Sequence, residues 1–211
     1  MKKLLFWIVL IVGTVVLLGS CAKKEESTTA ATTTSKTTTT PSGSITMGSY
    51  TASGVYLSSC FSGSSVSTLV SAGSLPSDAQ SFGFAFVVTG DDSFTSETHV
   101  FTDTGCTTST YISKALRDNV TVGTASGANY PVTYNGTGFK WTVNTTAAKT
   151  FLENLYSSIS LDMTVATEKF IESTGSLKYG LWTPGDTTIY LASESSSSTP
   201  STAGVIVFNK E

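Results

Sequence analysis

Residues 81–89 read Ser-Phe-Gly-Phe-Ala-Phe-Val-Val-Thr. A strand projects successive side chains to opposite faces. Phe82, Phe84, Phe86 and Val88 therefore share one face, and Gly83 and Ala85 share the other. A chain with such a segment needs an interior to receive three aromatic rings from one strand. In a closed barrel the same stripe is either packed core or the lining of an apolar cavity. Residues 93–102 follow the turn signal Gly90-Asp91-Asp92, so 81–102 reads as a hairpin.

Further strands are expected at 53–61, 106–114, 118–123, 130–134, 138–144, 161–171, 177–182, 186–193 and 203–209. Asn135-Gly136 and Pro184-Gly185 are read as turns between neighbouring runs. One segment breaks the alternation. Ala148, Phe151, Leu152, Leu155 and Ile159 follow the 3, 4, 7 spacing of an amphipathic helix over 146–159, with Thr145 or Thr146 as its cap. The expected fold class is all-β and mainly antiparallel. It is a small up-and-down barrel or a sandwich of eight to ten strands with one appended helix.

The N-terminus has a different character. Met1, Lys2 and Lys3 precede an uncharged run, Leu4–Leu18, which ends in Leu17-Leu18-Gly19-Ser20-Cys21. A basic start, an apolar stretch and small residues before a cut site make a secretory signal. The cysteine behind those small residues resembles the lipobox of bacterial lipoproteins. That resemblance implies cleavage after Ser20 and lipid attachment at Cys21, which becomes the first mature residue. The anchored partner would be a membrane. Ala22, where aspartate would signal retention, implies the outer rather than the inner membrane. The alternative is a plain transmembrane anchor, and the uncharged stretch Leu4–Cys21 is at the short end of the ~17–25 residues needed.

Residues 22–44 are Thr- and Ser-rich, with no aromatic and no large aliphatic side chain. They cannot bury enough surface to offset their ordering entropy. They read as a disordered tether spanning roughly 25–30 Å. The chain thus divides into a signal peptide over 1–20, a lipidated cysteine with its tether over 21–44, and a β-domain over 45–211. With Cys21 given to lipid, Cys60 and Cys106 remain. Two cysteines in an exported domain are most simply one disulfide. Two free, buried thiols are the alternative.

The domain also resembles lipocalin-like domains of small bacterial lipoproteins. Gly54-Val-Tyr-Leu-Ser-Ser-Cys60 is similar to their opening strand. His99-Val-Phe-Thr-Asp-Thr-Gly-Cys106 is similar to a second signature that carries the partner cysteine. The closing run 187–211 is similar to their last hairpin. Tyr56 stands where tryptophan is frequent. The resemblance implies an apolar-ligand cavity or a binding surface, and no chemistry. Phe82, Phe84, Phe86 and Trp141 are the expected lining residues.

Nothing in the sequence makes a catalytic signature. His99 is the one histidine, so any Ser-His-Asp arrangement rests on it, with Glu97 or Asp103 as orienter. It reads instead as a strand histidine on a solvated or edge face. Asp91 and Asp92 fit a hairpin turn better than a calcium site. Glu168 and Glu172 read as surface acids. No catalytic residue, metal or cofactor is expected. The formal charge of −3 becomes more negative once Lys2 and Lys3 are cleaved, which excludes a basic nucleic-acid footprint. The functions that remain are a non-catalytic binding module for a small apolar ligand, or a structural, adhesin-like envelope lipoprotein that meets another macromolecule.

Overall fold

Alternating inward and outward side chains, repeated strand after strand, close a sheet on itself. The computed structural model describes residues 37–211. The expected signal segment, Cys21 and the tether up to residue 36 lie outside the described residues. In chain order the strands are β1 (Ile45–Met47), β2 (Tyr50–Ala52), β3 (Val55–Leu57) and β4 (Phe61–Ser62). Helix α1 (Ser64–Ser71) follows, then β5 (Ser81–Val88), β6 (Phe94–Phe101), β7 (Ser109–Val122) and β8 (Tyr130–Val143). Helix α2 (Thr146–Leu155) leads to β9 (Glu168–Pro184), β10 (Thr188–Leu191) and β11 (Val207–Lys210).

Strands β5 to β11 each pair antiparallel with their sequence neighbour. β3 closes the ring. It pairs with β11 through Leu57↔Asn209 and Tyr56↔Lys210 on one side, and with β5 through Val55↔Val87 to Leu57↔Ala85 on the other. The result is a closed, eight-stranded, up-and-down barrel rather than a sandwich. Tyr56 seals the seam: its ring meets Phe86 at 6.0 Å and the Lys210 ammonium lies 5.8 Å from its centroid.

The predicted hairpin over 81–102 is present, with Phe82↔Val100 through Val88↔Phe94 in register. The Pro184-Gly185 turn is also present, closed by the Gly185 N–H on the Thr188 carbonyl at 2.8 Å. Other boundaries differ. The runs 106–114 and 118–123 are one strand, β7, interrupted by Asn119 at φ 53. The runs 130–134 and 138–144 are likewise one strand, β8. Asn135-Gly136 is not a turn but part of a register shift between Gly136 and Gly138. Both neighbours, β7 and β9, keep pairing through it, so the chain bulges instead of reversing. A side chain at Gly138 would run into the Phe170 ring and come within 2.9 Å of the Ile171 carbonyl. We expect Gly138→Val to destabilise the barrel, because the carbonyl cannot step aside as the half-exposed ring can. A chemical melt of the variant checks this.

Two elements close the ends. The β1–β2 hairpin buries Ile45, Met47 and Ala52. Met47 and Ala52 share a crevice with Tyr56, Pro184 and Ile189, so the hairpin plugs the end at the β9–β10 turn. At the other end lies α2, where the period-3.6 pattern predicts a helix. The Thr145 side chain caps it by accepting the Ala148 N–H at 3.1 Å. Ala148 and Leu152 face the barrel, and Phe151 packs on Tyr111 at 6.1 Å. A short 3-10 turn, Ser157–Ile159, completes the expected helical segment. Helix α1 makes the appended helices two rather than one. Its Ser-rich sequence buries only Val66 and Leu69 among its residues.

Residues 37–44, counted with the tether in the sequence, run along the outside of the barrel. Ser42 N–H bonds the Val88 carbonyl at 3.0 Å, and Ser44 N–H bonds Asp91 Oδ1 at 3.0 Å.

Candidate functional site

The inward positions of β6 and β7 carry a block of short side chains. Ser96 pairs with Ala115 and Thr98 with Ser113. The facing strands contribute aromatic rings, but rings anchored elsewhere cannot fill the space these four residues vacate. The space left is a cavity of about 230 Å³. That exceeds the ~150 Å³ that accepts a benzene ring in an engineered apolar cavity. It falls a little below the usual ~300–1,000 Å³ of drug-sized pockets. Phe84, Phe94, Phe139, Trp141 and Trp182 supply much of its wall, and Tyr111 and α2 extend it. The half-buried Phe151, Leu155 and Ile206, with the exposed Ser193, mark its mouth between α2 and the β10–β11 connection.

The four predicted lining residues divide evenly. Phe84 and Trp141 stand on the cavity wall. Phe82 stacks on Phe61 at 5.1 Å, and Phe86 is packed between Phe94 at 5.1 Å and Trp182 at 5.3 Å. Those two are filled core. Trp141 is held by its Nε1–H, which donates to Ser113 Oγ at 2.9 Å, and its ring meets Tyr156 at 4.6 Å. Burial pushes the Tyr156 hydroxyl up to about 12 and the Tyr111 hydroxyl higher still. The cavity's phenols are therefore neutral near pH 7.

A charged cluster that the sequence did not reveal sits on the same wall. Arg117, inward on β7, is 6% exposed. Its Nη2 and Nε donate to Glu194 Oε2 at 2.9 and 3.2 Å. Its guanidinium lies 5.7 Å from the Phe139 centroid and 6.0 Å from that of Tyr134. Gly136, its cross-strand partner, has no side chain to displace it. The Tyr134 hydroxyl donates to Glu194 Oε2 at 3.4 Å. Lys178, across the ladder from Tyr134, brings its ammonium to 3.7 Å from Glu194 Oε1.

Cys60 and Cys106 are joined, with Cα atoms 6.0 Å apart. Asp103 organises the loop that presents Cys106. Its carboxylate accepts the N–H groups of Gly105, Thr107 and Thr108 at 2.9, 3.2 and 2.6 Å. Against partial desolvation, these donors bring its carboxyl down to about 2.

His99 is not on a solvated face, contrary to the sequence reading. It is 1% exposed on the outer side of β6, and its Nε2 donates to Glu97 Oε2 at 2.6 Å. The hydroxyls of Thr37 and Thr39 also donate to Glu97, and the Lys114 ammonium donates to Thr38 Oγ1 at 2.7 Å. The end of the Thr-rich segment is thus bonded to this wall. Burial alone would raise the Glu97 carboxyl, but the donors from His99, Thr39 and Thr37 outweigh it and hold it below its ordinary 4.5. A carboxyl held low when folded stabilises the fold above its ordinary value, and that contribution fades as pH falls through the lower folded value. We expect the stability gap between the native chain and Glu97→Gln to be largest near neutral pH. It should close as the pH drops below 4.5, as urea melts across that range will show.

Glu168 lies on the surface, where Lys140 and Lys114 approach it at 3.1 and 3.4 Å, and Glu172 is exposed. Asp91 serves the hairpin and the Ser44 backbone. Among the described residues, no three His, Cys, Asp or Glu side chains gather as metal ligands. No protein-family model matches the chain, and no curated protein matches it.

Proposed function

We propose that this is an exported, lipid-anchored protein whose barrel holds a small, largely apolar molecule without transforming it. The cavity carries that reading. A close-packed interior leaves few voids larger than a water molecule, yet here four short side chains face one another inside a ring of aromatics. The anchor rests on the lipobox-like Leu17–Cys21 and on the Thr-rich stretch behind it, which together hold the domain at a membrane, the outer one by the Ala22 criterion.

Two experiments test the two halves. The full-length protein, purified from its membrane in mild detergent, should release a bound small molecule in native mass spectrometry. An empty barrel that also fails to take up octanol would overturn the binding reading. Metabolic labelling with an alkyne fatty acid should mark the native chain and leave Cys21→Ala unmarked. Labelling that survives the substitution would overturn the anchor. The exposed Phe170 and Leu177 on the outer face of β9 favour the second reading, a surface that meets another macromolecule.

A further inference from the structure

The strap that residues 37–44 form on the outside of the barrel has a direction. Ser42 and Ser44 are bonded at Val88 and Asp91, beside the β5–β6 turn at the plugged end. Thr37, Thr38 and Thr39 are bonded higher on the wall, at Glu97 on β6 and its cross-strand partner Lys114 on β7. Followed back toward Cys21, the strap climbs from the plugged end toward the end where α2 leaves β8. That end is fixed by register: Val143, the last residue of β8, pairs with Tyr111, and Tyr111 pairs with Val100, far along β6 from the turn. Residues 22–36 join the strap to Cys21 and reach at most about 50 Å. Turning the plugged end to a membrane would send them back down the wall that the strap has climbed.

The two ends of the barrel also differ in what they expose. The plugged end carries Asp91, Asp92 and Asp186, all exposed. Beside the mouth stand Ile159, 48% exposed on the turn after α2, and Val205, 62% exposed next to Ile206 of the cavity rim. Val165, 41% exposed, lies at the same end, where the Ala166 N–H bonds the Val143 carbonyl. The charges there are matched. Lys149 meets Glu153 and Asp162 at 2.6 and 3.5 Å, and Lys169 donates to the Asp162 carbonyl. Carboxylates resist leaving water, whereas exposed aliphatic side chains gain by it.

We infer that the α2 end of the barrel rests on the membrane that holds Cys21, with Ile159, Val165 and Val205 in the headgroup layer and the cavity mouth turned to the acyl chains. This rests on the proposed lipid anchor. Interfacial helices bury their apolar faces by ~5–10 Å, a depth that side chains on exposed turns reach without unfolding. An apolar ligand then moves between bilayer and cavity without crossing water.

Fluorescence of the chain purified from its membrane and reconstituted into phosphatidylcholine vesicles, with and without brominated acyl chains, tests the orientation. Ile159→Trp and Val205→Trp should each add blue-shifted emission, beyond that of the native chain, and brominated lipid should quench it. Asp186→Trp, at the plugged end, should add emission that brominated lipid leaves unchanged. If one of the mouth variants does not fold, the other decides. Quenching at Asp186→Trp as strong as at the mouth, or none at the mouth, would overturn the orientation, and the anchor would still stand if the protein floats with the vesicles. Mouth-site emission shielded from aqueous iodide but not quenched by lipid would assign the rim to a protein partner or a second copy, and would also overturn the orientation. A chain that fails to float with the vesicles would overturn anchor and orientation together.

Discussion

Replacing Cys60 and Cys106 together by alanine should lower the unfolding free energy by about 4 kcal/mol. The bridge closes a loop with a sequence separation of 46, and the chain-entropy relation gives about that figure for a loop of this length. The bridge ties the segment between β3 and β4 to the β6–β7 loop, so it pins the seam side of the barrel to the wall next to it. Without it the unfolded chain gains freedom, and Cys106, fully buried, loses its anchor. For a domain of this size each kcal/mol shifts the melting temperature by roughly 2–4 °C. A drop of about 8–16 °C in a thermal melt is therefore expected, and a shift under about 2 °C would show that the loop is held by other contacts. The Asp103 bonds are the other contacts available. They persist in the double variant at neutral pH and weaken as the pH falls from 3.8 toward about 2, so the melt near pH 7 isolates the bridge.

Phe86→Ala should cost about 3–5 kcal/mol, the range for deleting a buried aromatic side chain. Phe86 is fully buried, with Tyr56, Phe94 and Trp182 around its ring. Its ring is in contact with Tyr56 at the seam and with Phe94 and Trp182 inside the barrel, so truncation opens a void among them. Phe84→Ala should cost clearly less. One side of its ring already borders the cavity, so fewer dispersion contacts are lost and an existing void is enlarged rather than a new one made. Urea melts of the two variants, side by side, check the difference. Equal costs would mean that the Phe84 ring is packed on every side.

Much of this architecture was legible in local pattern. The alternation at 81–89 specified a strand with an aromatic inner face, and the spacing of Ala148, Phe151, Leu152 and Leu155 specified a helix with Thr145 at its head. The long strands were not legible, because β7 and β8 each carry a local irregularity. Asn119 and the Asn135–Gly138 stretch have the chemistry of turns, and only pairing with strands on both sides makes them bulges. The β1–β2 hairpin and α1 were hidden for another reason. Each is short, and tertiary burial of two or three side chains, rather than propensity, holds it in place.

The site was half legible. Trp141 and Phe84 announce themselves as large apolar residues, whereas the void depends on what is small: Ser96, Thr98, Ser113 and Ala115 form a block only when β6 and β7 are paired. The charged cluster was less legible still. Arg117 falls in what reads as the gap between two short strands. Glu194 lies in a Ser-rich connection 77 residues away. Inward-facing charge on a barrel strand is visible once parity is followed through the bulge. His99 misled for a related reason: its face of β6 points away from the barrel interior, and that side is buried, with residues 37–39 bonded to its neighbours Glu97 and Lys114.

The space between β6, β7 and α2 is what we propose as the binding cavity. Ala115→Phe tests it most directly, since a ring at that inward position would occupy the void without removing any existing contact. Titration of the native chain and of this variant with octanol is the measurement. Saturable binding to the native chain and its loss in the variant are expected, with the β-sheet circular dichroism and the melting temperature retained. Unchanged octanol binding in a folded Ala115→Phe barrel would contradict that proposal.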